Sequence, residues 1–278
     1  MSIFNRSGLV PLSDLQTPEW RENFGILRTR HDEFTRQGPK FRSADYIWPT
    51  EPLYCWSRVW EYPFAYFQLK RFASTFPGTP KIADVGSGVT FFPFAIADLG
   101  ADVVCTDIDR TCELDLARAS GIISHRGSVS FRLGGETGLP FADSELDAVY
   151  CISVLEHIPN FDQTIAEIFR CLKVGGLFVL TFDVAIKGIE GISAERRAVL
   201  LNELSRRFSP VTQPQEVSLS DALLSDRGPY PMKSRDTAWF RFKQVVKPLL
   251  GKTPISASLL AVQSAVLVKN SSSETTNL

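Results

Sequence analysis

Between Lys81 and Asp183, short apolar runs alternate with stretches of helical spacing, and this alternation restricts the fold more than any other feature of the chain. KIADVG (81–86), DVVCTD (102–107), SVSFRL (128–133), LDAVYCIS (146–153) and LFVLTF (177–182) read as strands. FFPFAIADLG (91–100), TCELDLARAS (111–120) and DQTIAEIFRCL (162–172) read as helices, the first closed by Gly100 and the last by Gly175 and Gly176. Such a rhythm fits an α/β fold with a doubly wound, mostly parallel sheet.

The flanks are less regular. Residues 1–56 mix charges, prolines and aromatics without a period and read as an N-terminal arm or cap on a core spanning 57–184. RVWEYPFAYFQLKRFASTF (58–76) is aromatic-rich, with a helix start expected near Pro63. SAERRAVLLNELSRRF (193–208) is amphipathic with Ser193 as its N-cap, and LLAVQSAVLV (259–268) is a last strand. Residues 185–268 are expected to complete the sheet and an acceptor pocket, and 269–278 to be a disordered tail.

Thirty basic and 31 acidic residues leave a net charge of −1, so no global field favours nucleic acid. Five cysteines, Cys55, Cys105, Cys112, Cys151 and Cys171, form no CxxC pair and read as reduced core thiols of a cytoplasmic protein. The N-terminal stretch has no apolar h-region, and no run approaches the roughly 18 apolar residues of a spanning helix, so a soluble protein is expected. TAWFRFKQVVKPLLGK (237–252) reads as a helix with one core face; a weak membrane-surface contact through 238–252 is the alternative. Oligomeric state is not legible.

Gly86 and Gly88 follow a strand and precede a helix, where a residue without Cβ permits a sharp turn and close approach of a ligand. The dinucleotide fingerprint needs a third glycine where this chain has Phe91, and the phosphate loop GxxxxGK[ST] is missing. What remains is Asp84, the glycine turn and Asp107 at the end of the next strand, whose carboxylate can accept both hydroxyl protons of a ribose. That set suits a nucleoside without a pyrophosphate. Asp109 reads as a helix N-cap, and Phe91 and Phe92 as core aromatics, with a cation–π role beside a cationic ligand as the lesser alternative.

ADVGSG, VVCTDID, LPFADSELDAVYCISVLEHI and LKVGGLFVLT, in this order over roughly 80–182, resemble the class I S-adenosylmethionine-dependent methyltransferases. The resemblance implies a Rossmann-like fold with a seven-stranded sheet, S-adenosyl-L-methionine as cofactor, and methyl transfer to an oxygen of a small molecule, a saccharide or glycan hydroxyl first. It implies that Asp84, Gly86, Ser87 and Gly88 line the methionine end, that Asp107 holds the ribose, and that Ile108 lies against the adenine. GGETGLPF (134–141) would pass the adenine's far edge, with Glu136 and Thr137 there, since Gly135 stands where many relatives place an aspartate. Thr90 replaces a frequent third glycine. His157, just beyond the fourth strand of the alternation, is the candidate general base, with a structural histidine as its alternative. Glu156 reads as a buried, hydrogen-bonded acid. Ser153 stands where some relatives carry a metal-binding acid, so no metal is expected. A noncatalytic S-adenosylmethionine-binding protein and a nucleic-acid methyltransferase are the weaker readings.

Overall fold

The computed structural model describes residues 2–46, 50, 52–135, 138–232 and 258–271. In chain order these form β1 (Ser7–Leu9), α1 (Pro18–Phe41), α2 (Arg58–Thr75), β2 (Lys81–Val85), α3 (Phe92–Ala97), β3 (Asp102–Asp107), α4 (Thr111–Ile122), β4 (Ser128–Leu133) and β5 (Leu146–Ile152). Then follow α5 (Phe161–Cys171), β6 (Leu172–Lys187), α6 (Ala194–Arg207), β7 (Phe208–Pro210), β8 (Pro214–Gln215) and β9 (Leu259–Lys269). The strands form one sheet in the order β4-β3-β2-β5-β6-β9-β1-β8, with β7 also paired to β9. Strands β2 to β6 run parallel and β9 runs antiparallel to β6.

The α/β fold class and the mostly parallel sheet therefore hold. The strand count does not: among the described residues there are nine strands, not seven. The difference lies at one edge, where the short pieces β1 and β7 pair with β9, and β8 pairs with β1, in place of one continuous strand. Strand β7 ends on Pro210 and β8 starts on Pro214, and a residue without a backbone N–H cannot carry a ladder onward. Between them Val211 donates to the Val266 carbonyl, and Ser7 at the head of β1 donates to that of Gln213.

All seven residues of β5 are buried, as expected of a strand covered on both faces. On one face lie α1 to α4, with Phe34, Trp60, Phe91, Phe94 and Leu116 in a continuous cluster. On the other lie α5 and α6, through Phe161, Ile165, Ile168, Leu200 and Leu204. Phe4, Phe24, Leu27 and Phe41 of the N-terminal arm belong to the first cluster, so the arm adds to the main core and supplies the edge strand β1.

Helix α2 begins at Arg58, and Pro63 lies inside it rather than near its start. Pro63 has no N–H to offer the Val59 carbonyl one turn back. The Trp20 indole on α1 donates to that carbonyl instead, at 2.9 Å, which ties the two helices together. Ser193 caps α6 as expected, accepting from the Arg196 N–H at 3.3 Å. Lys269, expected to open the tail, closes β9: it is buried, and its ammonium donates to the Leu172 carbonyl at 2.6 Å. The rest of the expected tail beyond Ser271, and the basic aromatic segment 238–252, lie outside the described residues. Among the described residues no helix is long and apolar enough to cross a membrane.

Replacing Trp20 by Phe keeps the ring stacked on Phe24 but leaves the Val59 carbonyl unpaired, and should lower the unfolding free energy by about 1–2 kcal/mol. Urea denaturation measures this, and an unchanged midpoint would remove the role assigned to the indole.

Candidate active site

The C-terminal ends of β2, β3, β5 and β6 meet at one sheet edge, where ligands bind in open α/β sheets. The β2 to α3 loop turns there with Gly86 at φ +74° and Gly88 at φ +51°, both in the left-handed region that favours glycine. Gly86 and Ser87 both donate their backbone N–H to the Thr106 carbonyl, at 2.9 and 3.2 Å, fastening the loop to β3. A Cβ at Gly86 would stand 2.5 Å from a methyl of Val154, in the turn after β5. The first glycine is thus required by packing between the β2 and β5 ends. The Ser87 hydroxyl donates to the neighbouring Gly88 carbonyl, so it stiffens the loop.

Asp107 ends β3. One carboxylate oxygen accepts from the Gly88 N–H at 2.9 Å and the other from the Asp109 N–H at 3.0 Å, and each keeps a lone pair for a further donor. Ile108 beside it is 71% exposed. Asp109 accepts from both the backbone and the hydroxyl of Thr111 at the start of α4, so it anchors that helix from just outside it. Asp84 is buried, and that burial pushes its carboxyl up to about 8, with the charge of Asp107 adding to the effect and Arg58 opposing it.

After β5 the chain turns with Ser153 at φ +47°, a strained conformation for a side-chain-bearing residue. Two bonds hold it. Its N–H donates to the Thr181 carbonyl at 3.0 Å, and its hydroxyl donates to Glu61 of α2 at 2.7 Å. Glu61, fully buried, also pairs with Arg58 at 2.6 Å. Glu156 follows in a short 3-10 turn, where it accepts from the Asp183 N–H at 3.3 Å; burial foremost pushes its carboxyl up to about 8. His157 ends that turn with an exposed side chain, and its pKa is lowered by partial burial and by the positive charge of Arg58.

The N-terminal segment closes over the same loop. The Val89 N–H donates to the Tyr46 hydroxyl at 2.9 Å, and the Arg42 guanidinium donates to the Val89 carbonyl at 3.3 Å. Arg42 lies over the Tyr46 ring at 4.6 Å from its centre, a cation–π contact. Arg42, Tyr46, Arg58, Glu61 and Asp183 were not expected at the site. Only the Arg58 to Glu61 spacing, one helical turn, carried a local signal.

Asp84, Gly86, Ser87, Gly88, Asp107, Ile108 and His157 all sit at this edge. Glu136 and Thr137 lie outside the described residues; beside them the Gly135 N–H donates to the Gly138 carbonyl at 3.2 Å, and the Gly134 N–H to the Asp107 carbonyl at 2.9 Å. Phe91 and Phe92 are core aromatics, packed edge-on or tilted against Tyr62. Among the described residues no group of three or more His, Cys, Asp or Glu is placed to hold a metal. A shallow cavity of about 700 Å³, lined by Ser74, Asp102, Arg126 and Ser128, opens at the opposite edge, where β3 and β4 begin.

Gly86→Ala should cost about 2–4 kcal/mol, from a left-handed φ and overpacking against Val154. In the Gly86→Ala/Val154→Ala double variant the two changes should be strongly non-additive in thermal unfolding; simple additivity would mean that the two residues do not meet.

A family model described as "Methyltransferase domain" matches residues 83–180. The chain is similar to the biotin biosynthesis bifunctional protein BioHC of Cellvibrio japonicus (strain Ueda107), 33% identical over 96 residues, which are 34% of this chain and 18% of that protein. It is similar to an uncharacterized methyltransferase of Mycobacterium sp. (strain JLS), 34% identical over 110 residues, 40% of this chain and 41% of that one. The match thus spans less than half the length of either curated relative. The crystal structure of MccD protein superimposes with a TM-score of 0.49 at 16% identity, covering 75% of this chain and 98% of that chain, a likeness too loose to add to the topology above. Over residues 83–180, which carry the glycine turn, Asp107 and the β5 end, the chain is thus similar to a methyltransferase domain.

Proposed function

We propose that the chain binds S-adenosyl-L-methionine at this edge and catalyses transfer of its methyl group to an oxygen of a small molecule, with a saccharide or glycan hydroxyl as the first choice. The observation that carries the reading is the Asp107 and Ile108 pair. A carboxylate with spare lone pairs stands beside a largely exposed apolar side chain, and both follow a glycine turn. A ribose with its attached base supplies the matching hydroxyls and flat apolar face. The residues present fit the cofactor: Asp107 would hold the ribose, Ile108 would cover the adenine, and Asp84, Gly86 and Gly88 would line the methionine end.

The cofactor supplies a sulfonium that is already activated for displacement, so the protein's main task is alignment of the acceptor. His157 would take the proton of the acceptor hydroxyl. Its lowered pKa keeps the imidazole neutral, and so able to accept, at pH 7. The near-zero net charge supports a small acceptor over nucleic acid.

Calorimetry with S-adenosylmethionine and its demethylated product, S-adenosylhomocysteine, tests the reading. Asp107→Ala should weaken binding by about tenfold or more, the worth of a charge-assisted hydrogen bond; no binding to the native chain would sink the proposal. Binding with no transfer over a panel of sugars, phenols and carboxylic acids would favour a noncatalytic binding protein.

The pH dependence follows from Asp84. Its folded value of about 8 lies above the unfolded 3.8, so its contribution to apo stability is fully present below 3.8 and lost as pH rises through about 8. A ligand ammonium prefers the ionised carboxylate, so affinity for the cofactor should rise as the pH climbs from about 6 toward the Asp84 value of about 8, and fall again above it as the ligand's own α-ammonium loses its proton. The slope should flatten in Asp84→Asn.

A further inference from the structure

We propose that the buried oxygens of Glu156, Asp183 and Thr181 form a subsite for a protonated amine carried by the methyl acceptor. This rests on the methyl-transfer reading above and names the acceptor's chemical class.

The subsite lies where α2 meets the ends of β5 and β6. Arg58 is matched by Glu61 at 2.6 Å, and the second oxygen of Glu61 is taken by the Ser153 hydroxyl at 2.7 Å. The next two carboxyls have no such match. Glu156 is 8% exposed; one oxygen accepts from the Asp183 N–H, and Oε2 has no partner. Asp183 Oδ1 also has none. Thr181 precedes Asp183 by two residues on β6 and so shares its face; it is fully buried, and its hydroxyl is likewise unpaired.

Buried polar atoms are ordinarily hydrogen-bonded, and an unpaired buried carboxylate is among the most costly groups a protein can hold. The three unpaired oxygens would each accept from one N–H of an ammonium, which offers three donors and a positive charge beyond that of Arg58, itself paired with Glu61. A neutral hydroxyl would satisfy at most one of them. The charged and titratable groups facing the pair are Arg58 and Glu61 from α2 and Cys151 from β5, with His157 next in the adjoining turn and Asp84 of β2 reaching as far as Cys151. Burial foremost holds both acids above the usual carboxylate range, with repulsion from Glu61 on each and from Glu156 on Asp183 adding to it and Arg58 opposing it, as expected of two acids awaiting a further cation.

The test uses the full chain saturated with S-adenosylhomocysteine, titrated in a calorimeter at pH 7 with probes matched except for charge. These are 2-aminoethanol against ethane-1,2-diol, and glucosamine against glucose and glucuronate. Each amine should bind at least about tenfold more tightly than its neutral partner, with glucuronate weakest. Two buffers of different ionisation enthalpy should reveal proton release with the amines and none with the neutral probes. Glu156→Gln and Asp183→Asn should each erase the preference while leaving affinity for S-adenosylhomocysteine intact, which also reports that the variants are folded. Equal binding of amine and neutral probes, or a preference that survives in both variants, overturns the inference and leaves methyl transfer standing. Competition between the amines and S-adenosylhomocysteine also overturns it, since the oxygens would then serve the cofactor's own amine. Failure of S-adenosylhomocysteine to bind brings down the parent reading first.

Discussion

The β2 to α3 loop takes its path because Val154 fills the space that a side chain at position 86 would need. Neighbouring parallel strands end at the same edge, so the loop after β2 and the turn after β5 compete for one volume. The contest is settled by removing a Cβ on one side and driving the other side into a left-handed turn. Ser153 bears that strain, held by the Thr181 carbonyl and by Glu61. Close approach of a ligand to the loop is then a by-product of close approach of one strand end to the next.

The same economy explains the part played by the N-terminal region. Helix α2 brings Arg58 and Glu61 to the sheet edge, and the segment after α1 brings Arg42 and Tyr46 onto Val89. The loop is therefore gripped from three directions: β3 through Thr106 and Asp107, β5 through Val154, and the N-terminal segment through Val89. A loop so held presents its donors and acceptors already in place, which lowers the ordering cost of binding. Water is also kept from the acids behind it, and their raised affinity for protons follows from that dryness.

The central alternation was readable because each strand and helix there carries its own pattern, from the fully buried, mostly apolar β5 to the amphipathic α5. Asp107 and the two glycines were readable because their roles are set within one strand-turn-helix unit. Three things were not. Pro63 suggested a helix start, yet the Val59 carbonyl it leaves without a helical donor is bonded by Trp20, 39 residues before Val59 along the chain. The edge strands β1, β7 and β8 are two or three residues long, too short for any period to show. The Glu61 to Ser153 bond joins residues 92 apart, and a chain read locally cannot show which acid meets which hydroxyl.

The patched edge beside β9 bears on how the molecule comes together in time. Ser7 of β1 accepts from the Val266 N–H, a contact spanning 259 positions, and β7 closes on the last three residues of β9. Most of the parallel sheet can pair from segments close in sequence, but this seam waits until both distant ends are present, and loop closure must be met before any contact rewards it. The seam is thus a natural last step of assembly. Until it forms, β9 shows a bare row of donors and acceptors, a template for a neighbouring chain; once sealed by short, proline-interrupted pieces, it offers no long flat edge on which another strand could grow.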